Sequence, residues 1–394
     1  MTMGVDLRTR IGNVELPNPF IVAAGCHSRD AATMKKLAAT GVAAFATKTI
    51  VAQPAPDVLP CFATVKSGFI NSVFGTTLTA DQWFGEEIPR AKEAGGTVIA
   101  NLAGVTPEET AELATRAEKA GADIIELPTV CSHMKEILEA MFPGLQIPMP
   151  LIYDTSPYVT TLKMVKRAVK LPVIAKLSAV FLNNTVQWAQ AAKEGGADAV
   201  GCCDALGPAL GIDVRTGQPL LGGPRGVGGL TGDALKPIAL RMALEVAMST
   251  GLPVVGVGGV SRAEDAVEYF MAGACAVGVV TAGHLKGPKA YTKLIADLAK
   301  FMEDNGYRSL DDFRGLTIRK IEERKAAGTQ CITQPRPPEI DPARCNGCGL
   351  CVTSCVYEAM QPGKPVTVDV ATCYGCGLCA RVCPRDAVSF SYYR

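Results

Sequence analysis

Residues 253–283 read PVVGVGGVSRAEDAVEYFMAGACAVGVVTAG: an apolar run (253–257), a glycine pair (Gly258, Gly259), an amphipathic stretch (262–272) and a second apolar run (276–280). Runs apolar on both faces suit a parallel sheet covered by helices, and a parallel pair needs a helical crossover between its strands. The same unit recurs upstream. Apolar runs stand at 20–24, 43–48, 97–102, 123–127, 172–177 and 199–203, making eight with the two just quoted. Amphipathic stretches such as 30–39, 107–120, 185–195 and 234–249 lie between them, several closing on Ala-Gly-Ala or Gly-Gly-Ala, where glycine ends the helix. Eight such units predict an α/β fold, a (β/α)8 TIM barrel, with a doubly wound open sheet as the alternative.

Around this core, residues 6–18 hold two short alternating pieces about Gly12-Asn13, a hairpin expected to close the barrel's bottom. Residues 309–327 read as a helical linker, and Pro335, Pro337 and Pro338 stiffen the connection to the C-terminal segment. The expected domains are a barrel over 1–303, a helical and proline-rich linker over 304–340, and a small domain over 341–394.

The small domain carries two cysteine runs, Cys345, Cys348, Cys351, Cys355 and Cys373, Cys376, Cys379, Cys383, the second followed by Pro384. This spacing resembles that of bacterial-type two-cluster ferredoxins, of α+β fold, in which the fourth cysteine of each run ligates the other cluster. The resemblance implies two [4Fe-4S] clusters. One takes Cys345, Cys348, Cys351 and Cys383; the other takes Cys373, Cys376, Cys379 and Cys355. Val356 stands where proline is usual, a change in a flanking turn that touches no ligand.

The chain has 394 residues, 48% of them hydrophobic, and a net charge of +1 with both signs interspersed. No basic stripe points to nucleic acid and no apolar segment approaches a membrane span, so neither partner is expected. The start of the chain does not look like a signal peptide, and the remaining cysteines are scattered, which together suggest the cytoplasm.

In a TIM barrel the reactive groups sit where strands end. Glycines after the seventh strand (Gly256, Gly258, Gly259) and in Val280-Thr281-Ala282-Gly283 after the eighth let backbone N–H groups converge on a phosphate at a helix N-terminus, hence a mononucleotide. Lys48 closes the second run and Lys176 the fifth. Two ammonium groups at a barrel mouth are costly unless they face an anionic or electron-rich ligand, such as a reduced flavin ring.

Asn18-Pro19-Phe20, Lys48-Thr49, Ile70-Asn71-Ser72, Asn101, Cys131, Lys176, Gly228-Gly229-Leu230-Thr231-Gly232, Gly258-Gly259 and Thr281 together resemble the dihydroorotate dehydrogenase/dihydropyrimidine dehydrogenase superfamily. The barrel-plus-ferredoxin arrangement is most similar to the pyrimidine-reducing part of dihydropyrimidine dehydrogenases. The resemblance implies FMN, with Ala23, Gly25, Lys48, Thr49, Asn101, Lys176, Gly229 and Gly232 around ring and ribityl chain. Gly258, Gly259 and Thr281 would hold the phosphate. It also implies Cys131 as the proton-transferring group, with His133 the other candidate and Lys48 counted as catalytic beside them. Substrate contacts fall to Asn71, His133 and Asp204.

The departures lie on the substrate side. Pro128 and His133 replace family amides after the fourth strand, and Asp204-Ala205 replaces an Asn-Ser or Asn-Thr pair after the sixth. The expected enzyme is therefore an FMN- and iron–sulfur-dependent oxidoreductase acting on a small unsaturated carbonyl compound or cyclic amide. Alternatives are a dihydropyrimidine dehydrogenase catalytic subunit and an electron-transfer subunit with an inert barrel. Cys202 and Cys203 read as packing residues alternating across the sixth strand, His27 and Arg29 as mouth or loop residues, and 132–158 as a lid or an ordinary helix. No dinucleotide fingerprint follows a strand, so electrons are expected from an NAD(P)H-dependent flavoprotein subunit or a ferredoxin. The sequence leaves homo-oligomer formation open.

Overall fold

A computed structural model describes residues 4–54, 56–130, 134–141, 144 and 153–391. The chain divides into two compact units, Met1–Lys320 and Ile321–Arg394.

The first unit is a closed barrel of eight parallel strands. They are β1 (Phe20–Val22), β2 (Ala44–Ala46), β3 (Thr97–Asn101), β4 (Ile124–Pro128), β5 (Val173–Ser178), β6 (Ala199–Asp204), β7 (Val254–Val257) and β8 (Ala274–Val279). Each pairs with its sequence neighbour, and β8 pairs with β1 to close the ring. The open-sheet alternative is thereby excluded. The Ala-Gly-Ala-Asp and Gly-Gly-Ala-Asp steps do more than end helices. Gly121 and Gly196 take φ of 96° and 85°, and the aspartates after them, each just before a strand, accept from the first residues of the preceding strand beside it. Asp123 Oδ2 accepts from Val98 N at 2.8 Å and Lys92 Nζ at 2.6 Å; Asp198 Oδ2 does the same for Val173 N (2.7 Å) and Lys166 (2.6 Å).

Inward positions alternate along the strands, as the pleat requires. Ile21, Ala44, Ile99, Ile124, Ile174, Ala199, Val255 and Ala276 give one residue from each strand to a single apolar cluster inside the barrel. The hairpin Thr9–Ile11/Val14–Leu16 plugs it from below with Ile11 and Leu16. Outward residues pack against the helices, where Phe181 stacks on Trp188 with centroids 3.8 Å apart. Cys202 and Cys203 both belong to this outer cluster, so the expected alternation of the two thiols does not occur.

Two features depart from the sequence reading. A four-stranded sheet, Leu206–Leu210, Val227–Thr231, Gly68–Asn71 and Phe62–Val65 in that order, is built from the loops after β2 and β6. Its glycines disguise it: Gly229 lies opposite Asn71, and a Cβ on Gly228 would come within 2.4 Å of the Asn71 carbonyl oxygen. The segment read as a helix from 309 begins that helix only at Leu316. Ser309 and Asp312 instead form a reciprocal cap on a short turn, and Asp6 N donates to Arg308 O.

Candidate functional site

One inward step above the apolar layer the barrel interior turns polar. Asn101 on β3 and Glu126 on β4 are register partners, and Lys176 on β5 projects toward them. Asn101 Nδ2 donates to Glu126 Oε1 at 2.5 Å, and Lys176 Nζ lies 3.6 Å from the same oxygen and 3.8 Å from Asp204 Oδ2. Gly201, opposite Lys176, leaves room for the lysine stem: a Cβ there would stand 3.4 Å from three of its carbons. Asn101, Glu126 and Lys176 are all buried, and among the described residues Asn101 Oδ1 has no hydrogen-bond partner. A buried acceptor left unpaired costs about 1–3 kcal/mol, so this atom fits a ligand donor.

Lys48, 5% exposed, follows β2 and pairs with Asp57 at 3.0 Å. Asp57 is held by the Phe74 amide, which donates to its Oδ1 at 2.7 Å. Cys26 and Cys61 lie beside this pair, and burial pushes both thiols above their ordinary range. Asn101 N donates to Thr47 Oγ1 and Ile50 N to Asn101 O, tying the ends of β2 and β3 together. Ala23 is buried at the top of β1, and Thr49 O accepts from Thr76 N.

The phosphate-side residues also converge. Gly259 has φ of 70°, and a Cβ there would sit 2.6 Å from Lys236 Cβ and 2.9 Å from Gly232 O. A Cβ on Gly232 would meet Thr281 Cγ2 at 3.2 Å, and one on Gly25 would meet Val280 at 3.4 Å. Thr281 Oγ1 and Thr231 Oγ1 are 3.1 Å apart, and Tyr269 OH donates to Gly258 O at 2.8 Å. Lys236 is bound by Asp265 at 2.6 Å and Glu268 at 3.0 Å. Burial opposes ionisation of Asp265, but bonds from Lys236, Ser261 and Arg262 outweigh it and hold the carboxyl below its ordinary range. The cradle is thus glycine backbone and hydroxyl, with the nearby lysine already neutralised.

Beside Thr281 stands a ring cluster that the sequence did not announce. His27 meets His284 edge-on at 4.2 Å and has Nδ1 3.2 Å from Tyr291 OH, while His284 stacks on Phe69 at 5.9 Å. Burial, with His27 alongside, pushes His284 down to about 4. His27 is therefore packed rather than solvated.

Of the sequence-derived site residues, Lys176, Asn101 and Asp204 meet in one network, and Gly232, Gly259 and Thr281 in one cradle. Asn71 lies opposite Gly229 in the added sheet, its Oδ1 3.4 Å from Val73 N. Cys131 and His133 lie outside the described residues, as does part of 132–158. Glu126 and Asp57 were missed. Glu126 could have been found as the acid interrupting an apolar strand; Asp57 sits in a loop with no pattern around it.

In the second unit, Cys345, Cys348, Cys351 and Cys383 line one cavity, and the Cys379 thiol senses Cys376 and Cys373. Burial pushes Cys379 up to about 11, a value for the free thiol that iron would override. The duplication extends to the backbone. Glu358 and Asp386, each three residues past a fourth cysteine, take φ of 54° and 47°. Ala387 N donates to Cys383 Sγ at 3.3 Å, and amides from Tyr357 to Met360 converge on Cys355 Sγ. Thiols gathered on a cavity with amides aimed at sulfur fit iron–sulfur ligation.

Among the described residues, no helix is long and apolar enough to cross a membrane. Residues 6–302 match the dihydroorotate dehydrogenase family and residues 337–384 the 4Fe-4S dicluster domain. The chain is 35% identical over 311 residues to the dihydroorotate dehydrogenase B (NAD(+)) catalytic subunit of Methanothermobacter thermautotrophicus, covering 79% of this chain and 98% of that one. It is 33% identical to the Thermoplasma volcanium protein of the same name (80% and 99% covered) and 32% identical to that of Anoxybacillus flavithermus (78% and 95%). These matches take in nearly all of each relative and leave about a fifth of this chain over, as 79% coverage implies. FMN and iron–sulfur clusters are the cofactors, and the chemistry is that of a flavin-dependent oxidoreductase acting on CH–CH bonds. Barrel, cradle and sequence agree: the chain belongs to the dihydroorotate dehydrogenase family and carries a 4Fe-4S dicluster domain in addition.

Proposed function

We propose that the chain reduces, or in reverse forms, a carbon–carbon double bond conjugated to a carbonyl, using electrons that arrive through its two [4Fe-4S] clusters. The observation that carries this reading is the pair of buried ammonium groups, Lys48 and Lys176, set among glycines and the unpaired Asn101 oxygen. Bound FMN would exchange a hydride at N5 and single electrons with the clusters. Lys48, steadied by Asp57, and Lys176, steadied by Glu126, hold positive charge where electron density accumulates. Ala23, Gly25, Thr49, Gly229 and Gly232 line ring and ribityl chain, with Gly258, Gly259 and Thr281 at the phosphate.

The carbon next to the hydride-accepting carbon needs a proton donor within hydrogen-bond reach, a role given to Cys131 or His133. Asn71, His133 and Asp204 hold the substrate. An ionised carboxylate only accepts hydrogen bonds, so Asp204 favours a substrate N–H where a family amide could serve either a donor or an acceptor. The relatives named above are catalytic subunits of an NAD(+)-linked enzyme, which supports an NAD(P)H-dependent flavoprotein subunit as electron donor, a ferredoxin being the other source, in the cytoplasm. A second reading, the catalytic subunit of a dihydropyrimidine dehydrogenase, is favoured by the dicluster domain that extends beyond the relatives' match.

The test is anaerobic. Enzyme reduced with dithionite is offered orotate, uracil, thymine and acyclic enones while flavin and cluster absorbance are followed. Reoxidation by at least one compound, slowed about 100-fold or more in Cys131→Ser, is expected. If none of these compounds reoxidises the enzyme, the assignment is wrong; if Cys131→Ser keeps the wild-type rate, the proton passes elsewhere.

A further inference from the structure

Glu126 has only 5% of its surface exposed, on an inward rung of β4 directly above the apolar layer. A carboxylate in such a place must be doing something with its partners, since burying an ion without compensation is strongly unfavourable. Its Oε1 faces Asn101 Nδ2 at 2.5 Å and Lys176 Nζ at 3.6 Å. An ionised carboxylate can only accept. It therefore bonds the NH2 end of the Asn101 amide and no other, because turning the amide over would set two acceptors against each other. The consequence is visible on the far side: among the described residues, Asn101 Oδ1 is presented with no partner of its own.

We propose that Glu126 is a positioning residue that locks the Asn101 amide in one orientation, so that Oδ1 stands as a fixed acceptor for a ring N–H of the flavin, while its charge balances Lys176. The inference rests on FMN occupying the barrel mouth and is independent of which substrate the enzyme reduces. It predicts that the carboxylate acts on flavin binding through the asparagine rather than by contact.

The measurement uses the full chain with its clusters, anaerobically, with FMN removed and returned while flavin fluorescence reports binding. Glu126→Gln leaves a side chain that can donate or accept, so the Asn101 amide is free to turn. The FMN dissociation constant should rise about tenfold, and the flavin midpoint potential should shift upward because Lys176 loses its anionic neighbour. Asn101→Ala should weaken FMN by a similar factor, and adding Glu126→Gln to it should weaken binding no further. Wild-type affinity in Glu126→Gln, or losses that multiply in the double variant, would overturn the proposal. Should Glu126→Gln fail to fold, Asn101→Asp/Glu126→Gln decides. It keeps the charge and lets the new amide donate to the new carboxylate; binding within about threefold of wild type supports the lock, and failure to hold FMN overturns it. A wild-type chain that takes up no FMN would instead sink the cofactor reading itself.

Discussion

Gly259→Ala tests the phosphate cradle at its tightest point. Gly259 has φ of 70°, and a methyl group there would lie 2.6 Å from Lys236 Cβ and 2.9 Å from Gly232 O. The left-handed backbone alone costs an alanine about 1–2 kcal/mol, and forcing a methyl into a packed site adds about 1–3. Gly251 separates the two effects. It has φ of 69° at the C-cap of helix Lys236–Thr250 and nothing within 4 Å of its added Cβ. Gly251→Ala should therefore lower stability by about 1–2 kcal/mol and leave flavin content unchanged. Gly259→Ala should cost about 2–5 kcal/mol. Because Lys236 is tethered by Asp265 and Glu268, the loop rather than the helix must yield, which displaces the cradle. Flavin content after gel filtration and the FMN dissociation constant are the readouts, with at least a tenfold loss of affinity expected, about 1.4 kcal/mol. Wild-type flavin content in Gly259→Ala, or equal loss in Gly251→Ala, would refute the cradle.

His284 predicts a pH dependence. Its folded value of about 4 lies below the ordinary 6.5, so between these limits the unfolded chain binds more protons and stability falls as pH drops. The loss reaches at most about 3 kcal/mol near pH 4; His284→Asn should flatten this limb in thermal unfolding measured against pH, and an unchanged limb would acquit the residue. Cys383→Ala should remove the cluster expected among Cys345, Cys348 and Cys351, halving iron content with the Cys373, Cys376, Cys379 and Cys355 site left in place. An electron paramagnetic resonance spectrum showing the other cluster lost would refute the crossed ligand sets.

The barrel was legible because its signals are local. Apolar runs, helix-stopping glycines and their spacing lie within a few residues of one another, and the strands follow the apolar runs to within two residues at each end. The N-terminal hairpin was legible for the same reason. What escaped was made by distant segments. The mouth sheet joins residues near 65 to residues near 230, and its strands are glycine-rich because backbones approach too closely for side chains, a composition that reads as loop. Asp57 is recognisable only through Lys48 and the Phe74 amide. The His27–His284 contact joins the turn after β1 to the short helix Thr281–Lys286 after β8, which neighbour each other only because the barrel closes.

Glu126 escaped for a different reason, and that reason explains how the fold supports the site. Counting the 123–127 run as an apolar strand was correct for three of its members, Ile124, Ile125 and Leu127, and the fourth rung was absorbed into the pattern. Along such a strand, consecutive inward positions lie about 6.6 Å apart, so Ile124 and Glu126 belong to different layers. The lower layer, with one apolar residue from each strand and the hairpin beneath, closes the barrel by itself. The layer above is thereby released from packing duty. Asn101, Glu126 and Lys176 occupy it as polar groups paired with one another, with one acceptor left unspent among the described residues. Substitutions at Ile124 and Glu126 should accordingly separate: the first acts on stability, the second on the ligand.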